Sequence, residues 1–172
     1  MKKLILLAAL LLSTAFSSTL FEFTDNQGNW FVRNDGVMGG ISSSRVRFSN
    51  GVLLFSGRVR LENGGGFAGF RSSVGQYDLR NFSGIRLRVR GDGKRYAFQV
   101  VTRTNMYQIG FSTKAGQWLE VSLPFNKMQA TLRGEPIRAV RLNSSSIRQF
   151  GLIVGNERAE NFRLELDWIR AQ

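Results

Sequence analysis

"GIRLRVRGDGKRYAFQVV", residues 84–101, decides the fold class. Its first half alternates strictly: Ile85, Leu87 and Val89 share one face, and Arg86, Arg88 and Arg90 the other. A period of two with one apolar face is the pattern of a half-buried β-strand. The second half is again rich in β-branched and aromatic residues, and "GDGK" at 91–94 supplies the Asp-Gly pair of a tight turn, so the spacing predicts a β-hairpin across 85–103.

The same logic extends in both directions. "FRLELDWI" at 162–169 sets Phe162, Leu164, Leu166 and Trp168 against Arg163, Glu165 and Asp167. "GVLLFSGRVRL", "MYQIGFS", "WLEVSL" and "IRQFGLIVG" add further runs, for about nine or ten strands and no amphipathic helix after the opening segment. Trp30, Trp118 and Trp168 each sit in an alternating strand and are expected in the core. Many short antiparallel strands with turn signals between them imply two packed sheets, an all-β jelly-roll β-sandwich.

The opening residues have another character. Lys2 and Lys3 precede an apolar run from Leu4 to Leu12 and then "STAFSS". This reads as a signal-peptide helix over 1–17, too short to be a stable membrane anchor, followed by a single domain over 18–172. The expected destination is therefore exported, periplasmic or extracellular, after cleavage.

Charge and composition narrow the chemistry. The chain has 24 basic and 12 acidic residues, no histidine and no cysteine. Ser-His-Asp and Cys-His nucleophile systems, His-ligated zinc and thiolate metal sites are excluded. Only carboxylate chemistry remains, from Asp35, Glu62, Asp78, Asp92, Glu120 and Asp167, and no spacing among them marks a glycosidase pair. A calcium site would need Asp35 and Asp167 to meet. No metal, no cofactor and no catalytic residue is assigned. Most of the basic residues are arginines, which suit carboxylate or phosphate; for an exported chain the partner is a protein or an anionic glycan, and nucleic acid is not expected.

Glycines mark the loops. "NDGVMGG" at 34–40, "ENGGGF" at 62–67 and "GDGKRY" at 91–96 lack the Lys-Ser/Thr and following helix of a nucleotide cradle. Asn34 to Gly36 read as a turn, Gly39 and Gly40 as places that admit no Cβ, and "ENGGGF" as a bulged turn where backbone passes closely.

Taken in order, "NDGVMGGIS" (34–42), "FSG" (55–57), "ENGGGFAGFRS" (62–72), "YDLRNFSGIRLRVRGDGKRY" (77–96), "GQWLEVSLPFNKM" (116–128), "RGEPI" (133–137) and "FRLELDWI" (162–169) resemble the complex I intermediate-associated protein family. The resemblance covers nearly the whole chain after the leader. It implies a galactose-binding-domain-like jelly roll, similar in shape to carbohydrate-binding modules, and a non-catalytic assembly or chaperone role.

Two functions stand side by side: a module that binds a protein partner through loops at one end of the sandwich, or a carbohydrate-binding or weakly glycan-active protein working through carboxylates. The candidate binding residues are Asn34, Asp35, Met38, Gly39, Gly40, Asn63, Gly65, Arg71, Asp92, Lys94 and Arg95. Asp35 and Arg71 are expected to pair, and Arg86, Arg88, Arg90, Lys94 and Arg95 to supply attraction for an acidic partner.

Overall fold

The structure is a computed structural model, and it describes residues 17–24, 28–132, 135–137 and 140–172. The leader expected over 1–17 falls almost wholly outside them. Among the described residues no helix is long and apolar enough to cross a membrane.

The strands run β1 (Ser18–Glu22), β2 (Trp30–Val32), β3 (Ser43–Ser49), β4 (Val52–Val59), β5 (Ala68–Ser72), β6 (Gly84–Arg90) and β7 (Arg95–Val101). They continue as β8 (Met106–Ser112), β9 (Trp118–Pro124), β10 (Gln129–Leu132), β11 (Glu135–Pro136), β12 (Gln149–Val154) and β13 (Glu160–Ala171). The first sheet has the order β3-β4-β13-β6-β9, with β1 also on β13; the second has the order β11-β10-β8-β7-β12-β5-β2. All named strand pairs are antiparallel. This is the expected two-sheet all-β sandwich.

The alternation read in β6 holds: Ile85, Leu87 and Val89 are fully buried. Aromatic rings pack the core both within each sheet and, at Phe55–Phe70, between the two sheets. Phe55 of β4 lies with ring centroids 4.7 Å from Phe70 of β5 and 4.7 Å from Phe162 of β13, and Phe98 stacks near Phe150 at 6.0 Å. Burying each such ring contributes about 1.5–3 kcal/mol, and the tilted ring pairs add to it.

Three expectations fail here. "GDGK" is not a hairpin: β6 lies in the first sheet between β13 and β9, and β7 in the second between β8 and β12. Both edges of β6 are already occupied, so 91–94 carries the chain from one sheet to the other. Gly91 bridges Ala115, and the Asp92 carboxylate accepts from the Tyr96 hydroxyl at 2.9 Å and the Arg163 N–H at 2.9 Å.

The second concerns the tryptophans. The β13 register slips between Leu166, opposite Val89, and Trp168, opposite Arg88. This bulge, one extra residue in β13, moves Ile169 into the core and Trp168 onto the outer face, where it is buried at 6% exposure, outside the central cluster, with the Arg170 guanidinium over it at 4.2 Å from the ring centroid. Trp118 likewise lies outside, beneath Arg88 and Arg90. Trp30 alone of the three packs against the core.

The third is the arginine face. Arg86 pairs with Glu120, Arg88 with Asp167, Arg90 with Glu165 and Lys94 with Asp92. The outward cations of β6 are neutralised by carboxylates one strand away, so they do not form a free field for an acidic partner.

Candidate functional site

"NDGVMGG" folds as a 3-10 turn over Asp35–Met38 closed by Gly39 at φ 87°. Asp35 points inward and has no exposed surface. Its Oδ1 accepts the Ser42 N–H at 3.0 Å; its Oδ2 accepts the Ser42 hydroxyl at 2.5 Å, the Gly66 N–H at 2.7 Å and the Phe67 N–H at 3.2 Å. Ser42 Oγ in turn accepts the Arg60 N–H at 2.9 Å. Burial pushes the Asp35 carboxyl up, but these hydrogen bonds, the Ser42 hydroxyl foremost, outweigh it and hold the group below its ordinary value.

The expected Asp35–Arg71 pair is therefore absent. Four neutral donors saturate the carboxylate, and Arg71 sits on the outer face of β5, where its neighbours Phe70 and Ser72 turn inward. The Arg71 Nη2 lies 3.4 Å from Gln99 Oε1 and 2.9 Å from Met106 Sδ. Asp35 and Asp167 do not meet either, since Asp167 is held by Arg88. Among the described residues no group of three or more carboxylates could hold a metal ion.

Around Asp35 the two glycine loops close on each other. A Cβ on Gly40 would stand 2.4 Å from Asp35 Cγ and 2.8 Å from Gly65 Cα, and one on Gly65 would stand 2.7 Å from Asp35 Oδ2. Gly39 is needed for its positive φ, Gly40 for close approach. Asn63 adopts φ 58° within the second loop, and Asn34 Oδ1 accepts the Ser44 hydroxyl at 2.7 Å. This is the close backbone passage expected of "ENGGGF".

On the outside of the clamp, apolar side chains face solvent. Val37 is 87% exposed, Met38 61%, Ile41 47% and Leu61 43%. A fixed loop pair presents them, so little ordering is left to do on contact. Met38 was legible as a candidate; Val37, Ile41 and Leu61 were not, because an isolated apolar residue in a loop has the same sequence appearance whether buried or exposed. Ser42 was missed because nothing in its spacing marks a hydroxyl that returns to a buried acid.

The third loop lies at the same end. Glu160 pairs with Val59, just before the 60–66 loop, while Asp92 binds the Arg163 N–H and Asn156 Nδ2 donates to the Arg95 carbonyl at 3.2 Å. The sequence-predicted residues thus divide. Asn34, Asp35, Met38, Gly39, Gly40, Asn63 and Gly65 form the clamp; Asp92 and Lys94 pair beside it at 2.9 Å. Burial raises the Asp92 carboxyl, but Lys94, the Arg163 N–H and Tyr96 bring it below its usual value. Arg71 and Arg95 belong to the outer face of the second sheet.

The chain is similar to known proteins both in sequence and in fold. The family model for Complex I intermediate-associated protein 30 (CIA30) matches residues 19–166. A mouse protein of that name, mitochondrial, is 27% identical over 176 residues, covering 87% of this chain and 53% of its own length. A Caenorhabditis elegans protein described as a probable mitochondrial member is 30% identical over 99 residues, covering 52% of this chain and 29% of its own. The chain thus matches about half, or less, of each relative's length. Among solved structures, the family 11 carbohydrate-binding module of Clostridium thermocellum Lic26A-Cel5E superposes with a TM-score of 0.71 at 15% identity, covering 92% of this chain and 95% of that one. An agarase, AgWH50C, matches with a TM-score of 0.63 at 10% identity, covering 91% and 24%. At these identities the likeness is one of fold.

The expected export is overturned by the relatives, which are mitochondrial proteins. A basic and then apolar opening is a compositional signal, and composition alone does not set the destination. With a family model matched from residue 19 to residue 166, the chain belongs to the complex I intermediate-associated protein 30 family.

Proposed function

We propose that this chain is a non-catalytic assembly module that binds an intermediate of respiratory complex I through the apolar tip formed by Val37, Met38, Ile41 and Leu61. The observation that carries the reading is the buried Asp35, which fixes two loops so that large apolar side chains stay in water. Apolar residues exposed on a rigid frame are what a protein interface buries at its centre. Family membership supplies the partner class.

The test is affinity capture from a lysate of the source organism, with the native chain and with Val37→Asp/Met38→Asp. Complex I subunits come down with the native chain and are lost with the variant, while its thermal unfolding is unchanged. Equal recovery with both, or recovery of no complex I subunit by either, overturns the proposal.

A further inference from the structure

The two outer faces of the sandwich differ in charge balance. The first sheet carries Glu22, Glu120, Glu160, Glu165 and Asp167 on its strands. On the second, β2, β5, β7, β8, β10 and β12 contain no Asp or Glu, and the one strand carboxylate of that sheet is Glu135 on the edge strand β11. Yet that sheet holds Arg71 and Arg95, and neither forms an ion pair among the described residues.

Both guanidiniums lie flat because glycines make room. A Cβ on Gly151 would stand 2.8 Å from Arg71 Cγ, and one on Gly110 would stand 2.6 Å from Arg95 Nη2. Arg71 crosses β12 toward Gln99 on β7, and Arg95 leans from β7 over β8. The register then sets one row straight across the sheet: Gln129 opposite Gln108, Gln108 opposite Gln99, Gln99 opposite Gly151, Gly151 opposite Arg71, and Arg71 opposite Phe31. Six strands make this row about 24 Å long. A shallow hollow lined by Arg95, Gln108, Gly110, Gln129 and Asn156 opens on the same face.

Arg71 is under-satisfied. Its Nε is buried with no hydrogen-bond partner, and its Nη2 meets only one amide oxygen and a thioether, which is a weak acceptor. Burial, then neighbouring Arg33, pulls it below the usual guanidinium value. A half-buried guanidinium that no carboxylate pairs can take an anion on its exposed side.

We infer that the outer face of the second sheet binds an acidic oligosaccharide, a hydroxyl-rich chain bearing carboxylates. Arg71 and Arg95 take the carboxylates, Gln108 and Gln129 exchange hydrogen bonds with hydroxyls as both donors and acceptors, and Gln99 positions Arg71. A peptide fits less well. β5, β7 and β12 are interior strands with their backbone groups already paired, so this part of the face offers no free edge on which a peptide could add as a strand. The site is separate from the apolar tip and does not depend on the assembly reading.

The test titrates the isotope-labelled chain with tetragalacturonate, with uncharged cellotetraose and with hexaglutamate, following backbone amide shifts. Tetragalacturonate is expected to move Gln99, Gln108 and Gly151 saturably, and the other two probes to bind at least about tenfold more weakly. Arg71→Gln and Arg95→Gln each weaken tetragalacturonate about tenfold, and Gln129→Ala, at an exposed position, about threefold with unchanged thermal unfolding. No saturable shift at those amides, hexaglutamate binding as tightly as the uronate, or full affinity in Arg95→Gln and Gln129→Ala overturns the inference.

Discussion

The Ser42 hydroxyl donates to the Asp35 carboxylate across 2.5 Å while accepting the Arg60 N–H at 2.9 Å, so one side chain joins the 34–40 loop to the end of β4. Removing either member strands buried polar groups. Ser42→Ala should cost about 1–2 kcal/mol, and Asp35→Asn about 3 kcal/mol because, whichever way its amide turns, the NH2 faces a backbone N–H, that of Ser42 or those of Gly66 and Phe67. Urea denaturation with an unchanged m-value checks both; a loss below about 0.5 kcal/mol for Asp35→Asn would show that the clamp does not hold the loops.

Acid sensitivity follows from the same carboxylate. Asp35, Asp92 and Glu165 are each raised by burial and lowered further by their hydrogen bonds, so all three sit below their ordinary values. The unfolded chain then takes up protons first as pH falls. The stabilisation is fully present above the ordinary carboxylate range, about pH 4, and is lost as pH drops through the lower folded values. Denaturant midpoints between pH 7 and pH 2 should fall only on the acid side, and less steeply in Asp35→Asn than in the native chain.

Glycine substitutions separate close approach from simple loop position. Gly40→Ala forces a methyl against Asp35 Cγ and the Gly65 backbone and should cost about 1–3 kcal/mol. Gly36→Ala meets nothing within 4 Å and should stay within about 0.5 kcal/mol of the native chain. Thermal melts of the two variants test the contrast, and equal shifts would contradict the geometry.

The neutralised arginine ladder makes an electrostatic prediction. Arg88→Gln removes one half-exposed partner of Asp167 and should cost no more than about 0.5–1 kcal/mol. Capture of the protein partner should be unaffected by Arg88→Gln and should persist as salt rises, because the proposed contact is apolar. Steep loss of capture at high salt would move the interface to the unpaired arginines.

Some of this was legible in the residues and some was not, for physical reasons. The alternation in 85–90 reports burial directly, so Ile85, Leu87 and Val89 could be assigned to the core. In 162–169 the same reading breaks at Asp167, because a bulge is one residue without a partner and composition carries no trace of it. "GDGK" has the chemistry of a tight turn, but which strand β6 pairs with is decided by β13, seventy residues away. Asp35 stood out by its setting among glycines. Its partners did not, since two of its four donors are backbone amides of the other loop, which every sequence supplies. Arg71 and Arg95 were chosen as loop residues and proved to lie on a sheet face, a placement that only the cross-strand register discloses.

The position of β13 bears on how the molecule is made. Its one edge receives β4 and then β1, its other edge β6, so the innermost ribbon of that sheet is also the last of its strands to be synthesised. Until residues 160–171 emerge, β4 and β6 expose unmatched amide rows, and nascent chains in that interval are open to association with one another. The sheet cannot close before residues 160–171 are made, and a truncation anywhere within this ribbon removes the centre of the sheet rather than its fringe.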